Sequence, residues 1–146
     1  MYTSFAIEWT AALRSGLGQI PGVLHSKGVT GTKDKFCCLG VACKLLADDG
    51  KLTSEPVGSL VMYGPTSYTL PKEAQELMGV SEKFGDCGSF MHIEGAQAWM
   101  ARDERFSSAF DGHSWSDYPK DLAALNDRGV TFEAIADFIE EFRFYL

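Results

Sequence analysis

The stretch from Thr131 to Phe142 constrains this chain more than any other. Phe132, Ile135, Phe138, Ile139 and Phe142 recur every three or four residues, and Glu133, Asp137, Glu140 and Glu141 fill the gaps between them. At the turn angle of an α-helix this gives one apolar face and one acidic face. Thr131 can cap the first turn, and Val130 can staple to Ile135 across that cap. Such a helix is marginal by itself and must lay its apolar face on a core.

Other periodic segments can supply that core. Tyr2, Phe5, Trp9 and Leu13 make an apolar stripe on a helix from Thr3 or Ser4 to Ser15, with either hydroxyl as its cap and Gly16 and Gly18 as its stop. A second helix should begin near Phe36 or Cys37 and end at Asp48-Asp49-Gly50. On its wheel Cys38, Ala42, Leu45 and Leu46 face inward, while Cys37 points outward with Lys44 and Asp48. Cys37 is therefore expected to be the exposed thiol and Cys38 the buried one. A closing helix over Pro119 to Asn126 should turn Leu122 and Leu125 inward. Helix 1, the Cys-bearing helix and the last helix should meet through Trp9, Leu13, Leu45, Ile135 and Ile139.

The β signals are shorter. Val57–Tyr63 and Ser67–Leu70 flank Gly64-Pro65 and read as a hairpin. Val23-Leu24-His25 reads as a short strand, and Gly28 through Asp34 as a mobile turn. Pro71 suits the first turn of a helix carrying Ala74, Leu77 and Met78, stopped by Gly79. Residues 81–117 read as an insertion or irregular lid with a helix around Gly95 to Phe106. The expected fold is mainly α within an α+β class. One domain spans residues 1–146, with four to five helices around one core and a small β-hairpin on the flank. A central sheet of four or more strands would contradict it.

The chain has 146 residues and a formal net charge of -7. A chain this acidic is repelled by phosphate backbones, so direct nucleic-acid binding is disfavoured. Its four cysteines include no CxxC pair, and adjacent Cys37 and Cys38 are awkward disulfide partners. Free thiols in a reducing compartment are expected. The first residues carry neither a charged leader nor an apolar run, and no stretch approaches the roughly 18 apolar residues of a membrane span. These features point to the cytoplasm.

Three groupings can carry chemistry. A cysteine at a helix N-terminus sits beside free amides and the positive dipole end, which makes a better nucleophile. Cys37 would then attack, His113 (or His92) would act as base, and Asn126 would orient it, as in a cysteine hydrolase. Against this, a cysteine is also a small buried hydrophobe that lets a helix pack closely beside Gly40, and that reading is favoured. The second grouping is an anion site. The N-terminus of the Cys-bearing helix can receive a phosphate, Lys33 and Lys35 precede it, and Trp99 or Trp115 can stack on a base. Asn126 and Asp127 can hold a ligand at the start of the last helix, although Asn126-Asp127-Arg128-Gly129 also reads as a plain turn. The third, zinc on Cys37, Cys43, Cys87 and a histidine, fails on its irregular spacing, so no metal or other cofactor is expected. Walker A, GxGxxG, HExxH and GxSxG patterns are missing from the sequence.

Four segments, in order, resemble a family of small proteins common in tailed bacteriophages and prophages. They are Trp9-Thr-Ala-Ala-Leu-Arg-Ser-Gly16, Phe36-Cys-Cys-Leu-Gly-Val-Ala-Cys43, Leu70-Pro71 leading to Leu77-Met-Gly-Val80, and the stretch from Leu125 to Glu140 that opens Leu-Asn-Asp-Arg-Gly. Lys44 departs from the acid that family members often carry there, and the stretch from Ser81 to Asp117 is longer. The resemblance implies a phage or prophage origin and action inside the infected bacterium, but no activity. The expected function is a non-enzymatic binding module that inhibits a host protein or sequesters a small anionic or nucleotide signal of host defence. A host-protein target would call for an exposed apolar patch, for which Phe144-Tyr145-Leu146 is the candidate. A cysteine hydrolase and a virion structural component are the alternatives. The sequence sets no oligomeric state.

Overall fold

A computed structural model describes residues 1–110 and 118–146. The chain runs α1 (Thr3–Leu13), β1 (Gly18–Gln19), β2 (His25–Ser26), β3 (Lys35–Phe36), α2 (Cys38–Asp48), β4 (Ser54–Val57), β5 (Leu60–Tyr63) and α3 (Lys72–Met78). Then come the short α4 (Ala96–Met100), a 3-10 turn (Glu104–Phe106), α5 (Ser107–Phe110), α6 (Leu122–Asp127) and α7 (Phe132–Phe142). The class is α+β.

The final helix forms as its pattern requires. Thr131 Oγ1 accepts from the Ala134 amide at 3.3 Å, and Phe132, Ile135, Phe138, Ile139 and Phe142 are all buried. Helix α1 packs along α7 and also touches α2. Trp9 is fully buried between them, and its indole N–H donates to the Cys38 carbonyl at 3.0 Å. On the outer side Arg14 bridges α1 to α7 through Glu140 and Asp137, and Arg105 reaches Asp137 from the 3-10 turn. These pairs are about one-third exposed or more, so each adds little and the network mainly fixes how the helices lie.

Several expectations need correcting. Neither Thr3 nor Ser4 caps α1, because both lie inside the helix. Tyr2 is the cap residue, without a side-chain bond, and its amide donates to the Met78 carbonyl. Of the five residues expected at the helix junction, Leu45 is only half-buried while the other four are buried. The sheet is also larger than a flanking hairpin. It has five strands in the order β1-β3-β2-β5-β4, with β1 parallel to β3 and the other neighbours antiparallel. Its hairpin turns at Gly58-Ser59, not at Gly64-Pro65. Val57 pairs with Leu60, and Gly58 takes φ 61°. A glycine of positive φ opening a two-residue loop matches the twist of the flanking strands.

The segment from residue 81 onward is irregular, and its described part contributes to the core. Phe84, Phe90, Ile93, Ala96, Met100 and Phe106 join the same buried cluster as Trp9 and Phe138. No helix among the described residues is long and apolar enough to cross a membrane.

Candidate functional site

Cys37 does not sit on the wheel of α2. It is the cap residue, with extended backbone, and its sulfur turns back to accept from the Gly40 amide at 3.3 Å. The thiol is therefore buried, contrary to the expected exposure. Two effects compete for its ionisation. The helix amides favour the thiolate, while burial penalises it, and burial wins: the pKa is pushed up to about 11. At pH 7 the thiol is therefore protonated. Cys38 and Cys43 are also buried and shifted upward by desolvation.

The amides at the start of α2 are occupied as well. The Cys38 amide donates to Asn126 Oδ1 at 3.2 Å. Asn126 Oδ1 also accepts from Gln19 Nε2, and its Nδ2 donates to the Ile20 carbonyl. Asp127 Oδ1 accepts from the Gly22 amide at 2.8 Å. Asn126 and Asp127 therefore fasten the 19–22 loop to α2, and Asn126 takes the Cys38 amide that an anion at this helix start would use. Trp99 is half-buried and packs in T-shaped contacts with Phe106, Phe138 and Phe142, as part of the core around α7. Lys33 and Lys35 are exposed. His113 and Trp115 lie outside the described residues. His92 Nε2 is bonded to the Tyr145 carbonyl, and no described histidine is hydrogen-bonded to Cys37. Among the described residues no three His, Cys, Asp or Glu side chains converge as metal ligands.

The polar centre of the molecule lies elsewhere, on one face of the sheet. Alternation along strands sends every second residue to the same side. His25 pairs with Phe36, Ser54 with Tyr63 and Pro56 with Val61. The period of two carries Lys27 and Asp34 to this face and sends Lys35 to the reverse. The last turns of α2 cover it with Lys44, Ala47 and Asp48, which share a helix face by their spacing. Between sheet and helix lies an open cavity of about 300 Å3, lined by these residues with Val61 and Tyr63. That is the lower end of the size of small-molecule sites.

A hydrogen-bonded relay forms its floor. Asp34 Oδ2 faces His25 Nε2 at 2.7 Å, and His25 Nδ1 faces the Tyr63 hydroxyl at 2.8 Å. A carboxylate only accepts, so Nε2 carries a proton. In the neutral ring Nδ1 then accepts from the Tyr63 phenol. The Gly28 amide and His25 hold the Asp34 carboxyl below the usual range. Burial above all, with negative neighbours that include Asp48 and Asp34, pushes the Tyr63 phenol well above its ordinary value. The phenol stays protonated and its oxygen keeps a lone pair for a further donor. Lys44 is ion-paired to Asp48 one helical turn on. Lys27 has no ion-pair partner among the described residues.

Sequence reading had His25 only as a strand residue and missed this cluster. The one signal was a histidine in a β-prone run followed nine residues later by an acid, across a glycine-rich loop.

The model for a domain of unknown function (DUF8296) matches residues 1–143, and the chain belongs to that family. No curated protein and no solved structure matches it.

A buried thiol of raised pKa has a direct chemical consequence. We expect Cys37 in the folded protein to react with iodoacetamide at neutral pH far more slowly than a free cysteine, with its rate restored by denaturant. Labelling as fast as a free thiol in the native protein would contradict the buried geometry.

Proposed function

We propose that this chain is a small accessory protein of a phage or prophage, acting in the cytoplasm of the infected bacterium by binding rather than catalysis. Its ligand is a small anionic molecule, and its site is the cavity between β2, β5 and the end of α2. The observation that carries this reading is the convergence of Lys27 and Lys44 on one cavity of about 300 Å3, together with His25, Tyr63 and the Asp34 and Asp48 carboxylates that engage His25 and Lys44. The two lysines can attract an anion where the carboxylates are already engaged, and the hydrogen-bonded relay, with His25 and Tyr63 buried, holds the floor in one geometry.

The same relay argues against catalysis. Both ring nitrogens of His25 are engaged by Asp34 and Tyr63, so neither can take a proton from a ligand without breaking the floor. Cys37 lacks the access and depressed pKa of a nucleophile.

Thermal shift against cyclic and linear nucleotides and other small phosphates tests the reading. Ligand at 100 times its Kd stabilises by about 2.7 kcal/mol, which for a chain of this size raises Tm by roughly 5–10 °C. At least one member of the panel should do so. A flat panel would overturn the ligand reading and favour a host-protein target instead. For that second reading Phe144 and Tyr145 are 71% and 61% exposed. The end of the chain is tied down, because Leu146 O accepts from the Met1 amine and the Ser81 amide and Tyr145 O accepts from His92. Leu146 itself is buried.

A further inference from the structure

We infer that the ligand of this cavity is a hydroxyl-rich phosphate monoester of the sugar-phosphate or nucleoside-monophosphate class. We further infer that Asp48 keeps Lys44 occupied until the phosphate displaces it. This rests on the reading of the cavity as the ligand site.

The donor and acceptor inventory sets the class. Asp34 is fixed by the Gly28 amide at 2.9 Å and by His25 at 2.7 Å. Each of its oxygens keeps a lone pair, as does Tyr63, whose proton is directed at His25. These groups accept further hydrogen bonds and offer none, so the part of the ligand beside them must donate. Sugar hydroxyls do so, and a carboxylate or a ketone does not. Val61 and Pro56 add an apolar wall suited to the carbon face of a sugar or base.

The cations set the charge. Lys27 shares the cavity with the ionised Asp34, so it offers a ligand only part of its charge. A phosphate monoester carries about -1.5 to -2 at pH 7 and calls for a second cation, which Lys44 can supply. Lys44 is held by Asp48 in an exposed pair, with side chains 36% and 59% accessible. Such a pair is worth about 0–1 kcal/mol, so a doubly charged ligand can take the lysine and release Asp48 to water at little cost. Asp34 is not displaced in this way, because a backbone amide and a buried histidine hold it.

Titration calorimetry on the full chain, with ribose 5-phosphate, inorganic phosphate and ribose as probes, tests this. Ribose 5-phosphate should bind, inorganic phosphate should compete more weakly, and ribose should not bind. Lys27→Ala should weaken ribose 5-phosphate by about tenfold or more, as expected on losing a charge-assisted contact. Asp48→Asn should tighten it by up to about fivefold, the worth of the exposed pair it removes. Asp48 is exposed, so that variant should fold normally, with far-UV circular dichroism as the check. If ribose binds as well as ribose 5-phosphate and Asp48→Asn changes nothing, this inference fails while the cavity remains a site. If no small phosphate binds at all, the cavity reading fails with it.

Discussion

Replacing Gly40 with alanine should destabilise the protein by about 3 kcal/mol or more, at the upper end of the cost of overpacking. Helix propensity alone gives the opposite sign, since alanine is better than glycine in a helix by about 1 kcal/mol. The structure decides between the two. Gly40 lies in the first turn of α2, and a Cβ there would stand 1.6 Å from the Leu24 carbonyl oxygen and 2.5 Å from its carbon. Leu24 cannot easily yield. Its oxygen accepts from the Cys37 amide at 3.1 Å, and its own amide donates to the Ser67 carbonyl at 2.8 Å. The chain before β2 is thus pinned against the helix on one side and the 66–70 turn on the other. Urea denaturation measures the outcome. A Gly40→Ala variant as stable as the parent, or more so, would mean that α2 and Leu24 do not approach as closely as the structure has them.

Asn126→Ala is the second large effect. Asn126 is 2% exposed and joins three parts of the molecule. Its oxygen receives the Cys38 amide and the Gln19 side chain, and its nitrogen reaches the Ile20 carbonyl at 2.9 Å. Truncation leaves a buried amide and a carbonyl without partners, at about 1–3 kcal/mol each. We expect a loss of about 3 kcal/mol overall, or roughly 6–12 °C in Tm. Asn126→Asp should be no better. It keeps the acceptor but loses the donor, and it adds a negative charge beside Asp127. If Asn126 only formed a turn, aspartate would be tolerated, because both residues bond their own backbone in turns. The pair of variants therefore separates a latch from a turn by differential scanning calorimetry.

These two residues also show which parts of the fold were legible. The last helix was readable because its information is local: a threonine cap and an apolar period of three to four residues. Asn126 looked like a turn residue because its sequence neighbours are Asp127, Arg128 and Gly129. Its real partners are 88 to 107 residues away, and nothing local announces them. The segments that carry the phage-protein resemblance turn out to meet one another. Trp9 donates to Cys38, Cys38 bonds Asn126 and Leu122, and Arg14 reaches Asp137 and Glu140. Those motifs describe a packing solution, which is why they did not lead to chemistry.

The hairpin was misplaced for a local reason. β4 is an edge strand, exposed throughout, and contains Glu55 and Pro56. It lacks the β-branched, alternating look of a strand, yet an edge tolerates proline. The signal that was present, Gly58-Ser59 between two extended runs, was absorbed into the strand reading of Val57–Tyr63. Cys37 failed differently. A helical wheel assumes that the residue is in the helix, and a shift of the start by one residue turned an outward thiol into an inward cap. The cavity was illegible because it needs the register of four strands and one helix face at once. Placing Lys27, Asp34, Tyr63 and Lys44 around His25 depends on pairings that no single window contains.

Ligand binding at that cavity is what the proposed function depends on. The most direct measurement is a titration of nitrogen-15-labelled protein with ribose 5-phosphate, followed through the backbone amide shifts. A saturable response is expected, with its largest shifts at residues 25–28, 44–48 and 54–63, on β2, the end of α2 and the hairpin. Shifts concentrated near Phe144 and Tyr145, or no saturable shift at millimolar ligand, would contradict it.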